Sequence, residues 1–428
     1  MSSSPGTFSF MRGNVLVLSI SGALSMFCRS MVFPYAPLFI LELGGQPAEI
    51  GLVYALTPIG GLLIFPIAGY MADHTSRAKV IAFTGYFSSI LFLVFVFAKS
   101  WHWVAVARLL QGFAVLQYPA MSAIVADSLS PENRGRGMAT MMTFSGTLAI
   151  FAPYAAGVML DWYGVDAGMR ILYGITAAAY AIAATINLIY VKDTKPITEA
   201  FEVSRLSGTL KKAYIDLPGF LRQFPRSLKA VTAIIVLAFV INGVASPFWV
   251  VYAKDHIGLS SAQWGLVLLI ETALANIVRI PSGFLSDRYG RARFIIASLV
   301  MCCAFLPLFV YTRTLAHVMV VRCLIAVTSE LFGPSCGALL ADIVPRDIRG
   351  RVMAVIGRGF IRLGASSGGT GGPGVGLLVI IPLAIASYAG GLLYEWNPAS
   401  PWAFVLAVSV ISLIVAGLFV RDPEKAEV

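Results

Sequence analysis

Six charged side chains fall inside stretches that are otherwise apolar: Arg29, Arg108, Glu271, Arg279, Arg322 and Glu330. Inside an apolar medium each is costly unless it faces a cavity, a partner or water. Glu271 and Arg279 are eight residues apart, and so are Arg322 and Glu330. On a helix that spacing keeps the two charges on one face but separates them by about 12 Å. Neither pair closes within its own helix, so each charge needs a partner from another helix, water or a ligand. The two glutamates are the deepest carboxylates and can carry a proton, because burial and an approaching guanidinium push a carboxyl's proton affinity in opposite directions. The excess of arginine over carboxylate points to an anionic or polar ligand. Arg108 stands only a turn and a half from one end of its segment, so reaching back to the interface is the alternative to facing a cavity or partner. No nucleophile, acid–base dyad or metal cluster accompanies these residues. The four histidines (His74, His102, His256, His317) lack ligand spacing, and the five cysteines (Cys28, Cys302, Cys303, Cys323, Cys336) read as small apolar residues. No Gly-x-x-x-x-Gly-Lys-Ser/Thr loop offers a seat for ATP. We expect no catalysis, no metal and no cofactor.

The elements that hold these charges are set by composition. Hydrophobic residues make up 58% of the chain and charged residues 12%, against about 45–50% and about 25% in soluble domains. About 20 apolar residues cross a bilayer, and such stretches recur at 14–39, 48–72, 79–98, 103–127, 137–161, 170–191, 230–253, 262–286, 294–312, 315–341, 375–394 and 401–420. The expected fold class is an all-α membrane protein of twelve transmembrane helices. The formal net charge of +10 does not signal nucleic acid, because the basic residues cluster in loops. With the N-terminus inside, and leaving out 352–374, 21 Lys and Arg fall on the inner side and four (Lys99, Arg170, Lys254, Arg313) on the outer. That bias places both termini in the cytoplasm, and the expected location is the plasma membrane. All seven tryptophans fall at the outer ends of spans, the pattern of an interfacial belt. The longest polar stretch separates residues 1–195 from 229–428, with 196–228 as a linker; its segment 206–221 is basic and partly amphipathic, either a surface helix or plain connection.

The two halves repeat. Gly69-x-x-x-Asp73 returns 214 residues later as Gly283-x-x-x-Asp287, and Arg108 returns as Arg322 at the same offset. Asp127 returns as Asp342, and Arg134-Gly-Arg136 as Arg349-Gly-Arg351, at 215. A parallel repeat of six helices each puts a solute site between halves near the midplane. Tyr154-Ala-Ala-Gly157 matches Tyr388-Ala-Gly-Gly391 only at 234, so about twenty residues are inserted, near 359–376, including a run with six glycines from Gly364 to Gly374. Glycine this dense does not hold a helix. It is either a cytoplasmic loop before span eleven, the reading we favour because 375–394 alone is long enough, or a broken helix lining the cavity.

The loop Gly69-Tyr-Met-Ala-Asp73-His-Thr-Ser-Arg77-Ala-Lys79 and its second copy, Gly283-Phe-Leu-Ser-Asp287-Arg288-Tyr-Gly290-Arg291-Ala-Arg293, resemble the signature Gly-x-x-x-Asp-Arg-x-Gly-Arg-x-Arg/Lys of the major facilitator superfamily (MFS) of secondary transporters. The second copy fits throughout; the first departs at His74 and Ser76. Arg108-Leu-Leu-Gln-Gly112 resembles the family's span-four motif, and Ala152-Pro-Tyr-Ala-Ala-Gly157 partly resembles its span-five antiporter motif. The resemblance implies two six-helix bundles, with spans three, six, nine and twelve peripheral and the charged spans around a cavity. It implies that Asp73, Arg77 and Asp127 form a latch stabilising the outward-open state, with Arg134 and, in the second copy, Asp287, Arg288, Gly290 and Arg291, while Gly69 and Gly283 let helices approach. It implies a role for Arg108 in proton coupling. The expected function is alternating-access transport of a small organic solute by a monomer, coupled to protons carried at Glu271 or Glu330, with span five favouring export by antiport. Uptake of a small organic anion by proton symport and a non-transporting sensor of the same fold remain open.

Overall fold

The computed structural model describes residues 11–195, 217–344, 348–357, 361–365 and 375–422. Among them eleven helices are long and apolar enough to cross a membrane, and a twelfth is bent by 47°. We number them α1 (Asn14–Glu42), α2 (Pro47–His74, the bent one), α3 (Arg77–Val96), α4 (Trp101–Ser128), α5 (Arg134–Tyr163), α6 (Val165–Tyr190), α7 (Arg226–Asp255), α8 (Ser261–Tyr289), α9 (Arg291–Tyr311), α10 (Leu315–Ile343), α11 in two pieces, α11a (Arg349–Ile356) and α11b (Leu377–Trp396), and α12 (Ser400–Phe419). No strand occurs among the described residues, as expected where lipid cannot satisfy open backbone groups. The expected spans match to within five residues. The largest difference is at α6, which starts at Val165 rather than 170. Arg170 there is not a boundary: it pairs with Asp166 at 2.9 Å and donates to Val96 O and Ala98 O, closing the end of α3.

The repeat is visible in the helix starts. At α2, Gln46 N donates to Glu49 Oε2 at 2.7 Å; at α8, Ser260 N donates to Gln263 Oε1 at 3.0 Å. These capping pairs stand at the same 214-residue offset as the loop motifs. The fold is that of two six-helix bundles, α1–α6 and α7–α12. Within the first, α2 and α4 touch backbone to backbone, since a Cβ on Gly112 would lie 2.3 Å from Gly61 N. This contact fixes the helix that carries Arg108 against the bent helix beside it.

The insertion does not behave as a cytoplasmic loop, which corrects the reading favoured from sequence. Span eleven is interrupted after α11a, and Gly357 forms an isolated antiparallel bridge with Val375, so the chain leaves and rejoins the span at one point. A Cβ on Gly376 would lie 2.2 Å from both Gly357 N and Ile356 C, so the re-entry admits only glycine. Between these points residues 361–365 lie inside the second bundle. Ile361 and Leu363 are buried, Asn242 of α7 donates to Arg362 O at 2.6 Å, and Gly364 N donates to Asn242 Oδ1 at 2.9 Å. The asparagine supplies the hydrogen bonds that a helix would have made internally, which is what lets irregular backbone persist at this depth. The remainder of the glycine-rich run and linker residues 196–216 lie outside the described residues. Leu217–Arg222, at the end of the linker, is a short helix with Phe220 buried beneath Arg351.

Candidate functional site

The charges of α8 and α10 pair across the two helices. Arg322 donates to Glu271 from Nε at 3.0 Å and from Nη2 at 2.8 Å. Arg279 donates to Glu330 from Nε at 2.8 Å and from Nη2 at 3.1 Å. Both pairs join residues 51 apart, because α8 and α10 run in the same direction and their charge orders are inverted. The result is a ladder of two bidentate rungs, about 12 Å apart along the helices. The upper rung is buried: Arg322 is fully covered, with its guanidinium 4.4 Å from the Trp249 ring and its Nη1 donating to Gly364 O at 3.0 Å. The lower rung is partly open. The Glu330 side chain is 1% exposed and that of Arg279 36%. Arg362, delivered by the insertion, adds a second cation 3.4 Å from Glu330. Arg29 of α1, Glu271, Arg279, Glu330 and Arg362 line one cavity of about 320 Å³ between the bundles.

Arg29 and Arg108 meet in a different place. Their guanidinium carbons lie 4.8 and 4.7 Å from the same ring, Phe33, and Arg108 is also 5.3 Å from the Tyr54 ring. Arg108 is 4% exposed, so of the two sequence readings it faces a cavity and does not reach back to the interface. Aromatic rings on α1 and α2 hold it in the bundle instead. Both arginines line a cavity of about 540 Å³ in the first bundle, which Arg29 shares with the inter-bundle cavity.

The bundles touch at the tryptophan-bearing end. A Cβ on Gly157 of α5 would lie 2.2 Å from Ser261 O of α8, and one on Gly51 of α2 would lie 2.5 Å from Ser387 O of α11b. The Tyr35 hydroxyl of α1 stands 2.7 Å from Pro153 O and 3.0 Å from Ser261 O, bridging α5 and α8. The carboxylate of Asp161, at the end of α5, accepts from Ser261 N at 2.8 Å and Ala262 N at 3.0 Å, capping the first turn of the opposite bundle's α8. At the other end Gly69 and Gly283 have nothing within 4 Å of an added Cβ, so the close helix approach expected of these glycines is absent here. The reason is that the bundles are joined at the opposite end and leave this one open.

The signature loops form matching networks. Arg77 bonds Asp127 at 2.9 Å and lies 3.8 Å from Asp73; Arg291 bonds Asp342 and lies 3.1 Å from Asp287. The Asp73 and Asp287 side chains are 73% and 62% exposed. Arg134 and Arg349 bond carbonyls rather than carboxylates, Ala126 O and Ala341 O respectively, closing the ends of α4 and α10. Arg288 lies over the Tyr289 ring, outside the network, and Gly290 turns the chain at φ +100°. The interfacial-belt reading of the tryptophans holds only in part. Trp103, Trp162 and Trp396 are exposed, but Trp249, Trp264 and Trp402 are buried around Phe309, under Arg322. Position along a helix set their depth, while the side they face put them in the core.

Sequence reasoning missed Arg362, Asn242 and Asp161. Arg362 had a partial signal in the broken-helix reading of the glycine-rich run, and Asn242 in being a polar residue inside the apolar span 230–253. Asp161 stands next to the span-five motif, at a helix end facing the start of α8, and its position in the repeat was the available clue.

Two six-helix bundles joined at one end, with ion pairs lining a cavity between them, define a polytopic membrane protein built for solute passage. The Major Facilitator Superfamily profile matches residues 18–238 and again 231–428, and the chain belongs to that family of secondary transporters, which are not enzymes. It is 25% identical over 333 residues to a multi-drug resistance efflux pump PmrA homolog of Lactococcus lactis subsp. lactis (strain IL1403), covering 76% of this chain and 79% of that protein. It is 22% identical over 399 residues to the multidrug resistance protein MdtG of Escherichia fergusonii, covering 90% and 94%. Among solved structures it resembles the nucleoside transporter NupG, with a TM-score of 0.69 at 16% identity, covering 95% and 98%. It also resembles a bacterial homologue of the human lysosomal transporter Spinster in an inward-facing, occupied conformation, with a TM-score of 0.71 at 14% identity, covering 99% and 98%.

Proposed function

We propose that this transporter exports small organic solutes by proton antiport, acting as a monomer in the plasma membrane with both termini cytoplasmic. The observation that carries the proton reading is the two-rung ladder. Glu271 and Glu330 each face an arginine of the neighbouring helix at the wall of the inter-bundle cavity, so a change in helix spacing alters whether each carboxyl meets a guanidinium or water. A carboxylate whose counter-ion moves is a means of taking up and releasing a proton in step with conformation. Export is supported by the names of the efflux relatives and by the partial span-five motif at 152–157. In the proposed orientation the joined, tryptophan-bearing end is extracellular and the structure is inward-facing. Alternating access then requires the Asp161 and Tyr35 contacts to part.

The test uses purified protein in proteoliposomes, with a solute taken from a ligand-stabilisation screen. Substrate exchange and proton-driven flux are measured separately for Glu271→Gln and Glu330→Gln. A coupling residue loses gradient-driven transport and keeps exchange. If both variants still accumulate solute against its gradient, neither glutamate carries the proton. Because breaking a buried pair costs about 3–5 kcal/mol, each variant is first checked for a single folded peak by size exclusion.

A further inference from the structure

The internal repeat supplies its own control. At the 214-residue offset that joins Arg108 to Arg322 and the caps of α2 to those of α8, Glu271 of the second bundle falls on Thr57 of the first. The two equivalent arginines therefore stand in opposite electrostatic situations. Arg322 has Glu271 in bidentate contact, a carbonyl from Gly364 and the Trp249 face. Arg108, also buried, has the Phe33 and Tyr54 faces, and among the described residues its Nε has no hydrogen-bond partner. Arg29, half-buried, shares the Phe33 ring, and neither arginine forms an ion pair among the described residues. The first bundle has no carboxylate to offer at that depth. Its described carboxylates, from Glu42 to Asp193, all stand at helix ends or in the loops between. A ring face offsets part of a guanidinium's lost hydration but leaves its N–H donors unmet. A buried positive charge and a half-buried one beside it, with no counter-ion, call for one from outside the chain.

Arg29, Arg108 and Thr57 line the same cavity of about 540 Å³, whose walls also include Tyr180, Met121 and Met141. That volume is in the range of sites for organic molecules, and methionine and aromatic walls suit an apolar body. We propose that this cavity binds an amphipathic organic anion. Its carboxylate, sulfonate or phosphonate takes the place beside Arg108 that Glu271 takes beside Arg322, and its ring or chain lies against Phe33, Tyr180 and the methionines. Calling this ligand cargo rests on the transport reading above; the binding itself does not. An inorganic anion alone would satisfy the arginines and leave the apolar walls unfilled.

The experiment is equilibrium titration and thermal unfolding of the full-length protein in detergent. The probe is naphthalene-2-sulfonate, compared with 2-naphthalenemethanol, 2-naphthylmethylammonium and inorganic phosphate. The sulfonate binds most tightly and raises the unfolding midpoint. Thr57→Glu restores the counter-ion that the second bundle has, so it keeps the unliganded midpoint and weakens the sulfonate at least about tenfold. Arg108→Gln weakens it similarly, and Arg108→Lys less. Equal binding of the ammonium, or an unchanged sulfonate affinity in Thr57→Glu, overturns the proposal even if Arg108→Gln fails to fold. Equal stabilisation by phosphate overturns the organic body. Sulfonate binding without flux in proteoliposomes sinks the transport reading alone, and flux without sulfonate binding sinks this proposal alone.

Discussion

Asp161 offers the most direct way to move the conformational equilibrium. Its carboxylate belongs to α5 of one bundle and accepts from Ser261 N and Ala262 N at the start of α8 in the other. α8 is 29 residues long, and its first turn carries about half a positive charge from the aligned peptides. Asp161 is exposed to solvent, so the lower part of each range applies. A carboxylate at an exposed helix start contributes about 0.3–1 kcal/mol, and losing a cap costs about 0.5–2 kcal/mol. Together these give about 1–2 kcal/mol for Asp161→Ala, a factor of about 5–30 in a two-state ratio. Asp161→Asn keeps an acceptor but not the charge and should give roughly half that energy. Because the contact bridges the bundles, it is lost only when this end opens. The whole effect therefore falls on the open–closed equilibrium and not on the fold. The assay is the distance distribution between spin labels at Lys99→Cys and His256→Cys, one in an exposed loop of each bundle at this end, with the partly exposed Cys303 and Cys323 replaced by serine. Asp161→Ala should raise the long-distance population relative to the short one by about fivefold or more. An unchanged distribution would mean the cap does not hold this end shut, and the reasoning would fail.

Asp73→Asn and Asp287→Asn should each slow transport without lowering the unfolding midpoint. Both carboxylates are largely exposed, Asp73 3.8 Å from Arg77 and Asp287 accepting from Arg291, so their loss should bear on the conformational equilibrium and not on the fold; two variants with wild-type flux would remove the latch from the mechanism. On orientation, a cysteine at Asn397 should react with an impermeant thiol reagent added to intact cells and one at Glu132 should not, and the reverse pattern would invert every inside and outside assignment.

The twelve spans were legible because lipid imposes one demand, a long apolar helix, and the sequence meets it with little ambiguity. The pairing of α8 with α10 was half legible. The eight-residue spacing showed that Glu271 and Arg279 could not close on each other, nor Arg322 and Glu330. The inverted order of the charges, with parallel helices, was enough to set the rungs, but it needed the repeat to be used as geometry. The buried tryptophans were not legible, since Trp103 and Trp402 both stand third in their helices, the first exposed and the second buried, and differ in the side they present. The insertion was half legible. Its glycines did break the helix, yet the partner that draws it inward, Asn242, lies more than a hundred residues away on α7. Long-range hydrogen bonds of that kind leave no local trace.

A continuous helix is a lever: a push at one end is delivered at the other. α5 comes near that over its 30 residues, with a single short break at Ile150–Phe151 ahead of Pro153 across which the span runs on. Its counterpart is divided far more deeply. α11b is clamped to α2 where Gly51 meets Gly391, while α11a stands on the far side of a break at which the chain departs and returns through a single bridge. Torque applied at α11a has no unbroken ladder of i to i−4 bonds along which to travel. What joins the two pieces is the stem of a detour whose side branch ends on Glu330 and Arg322. Motion of this span is thereby tied to the charged rungs, and the two halves of the fold, alike in helix count and direction, are mechanically unequal.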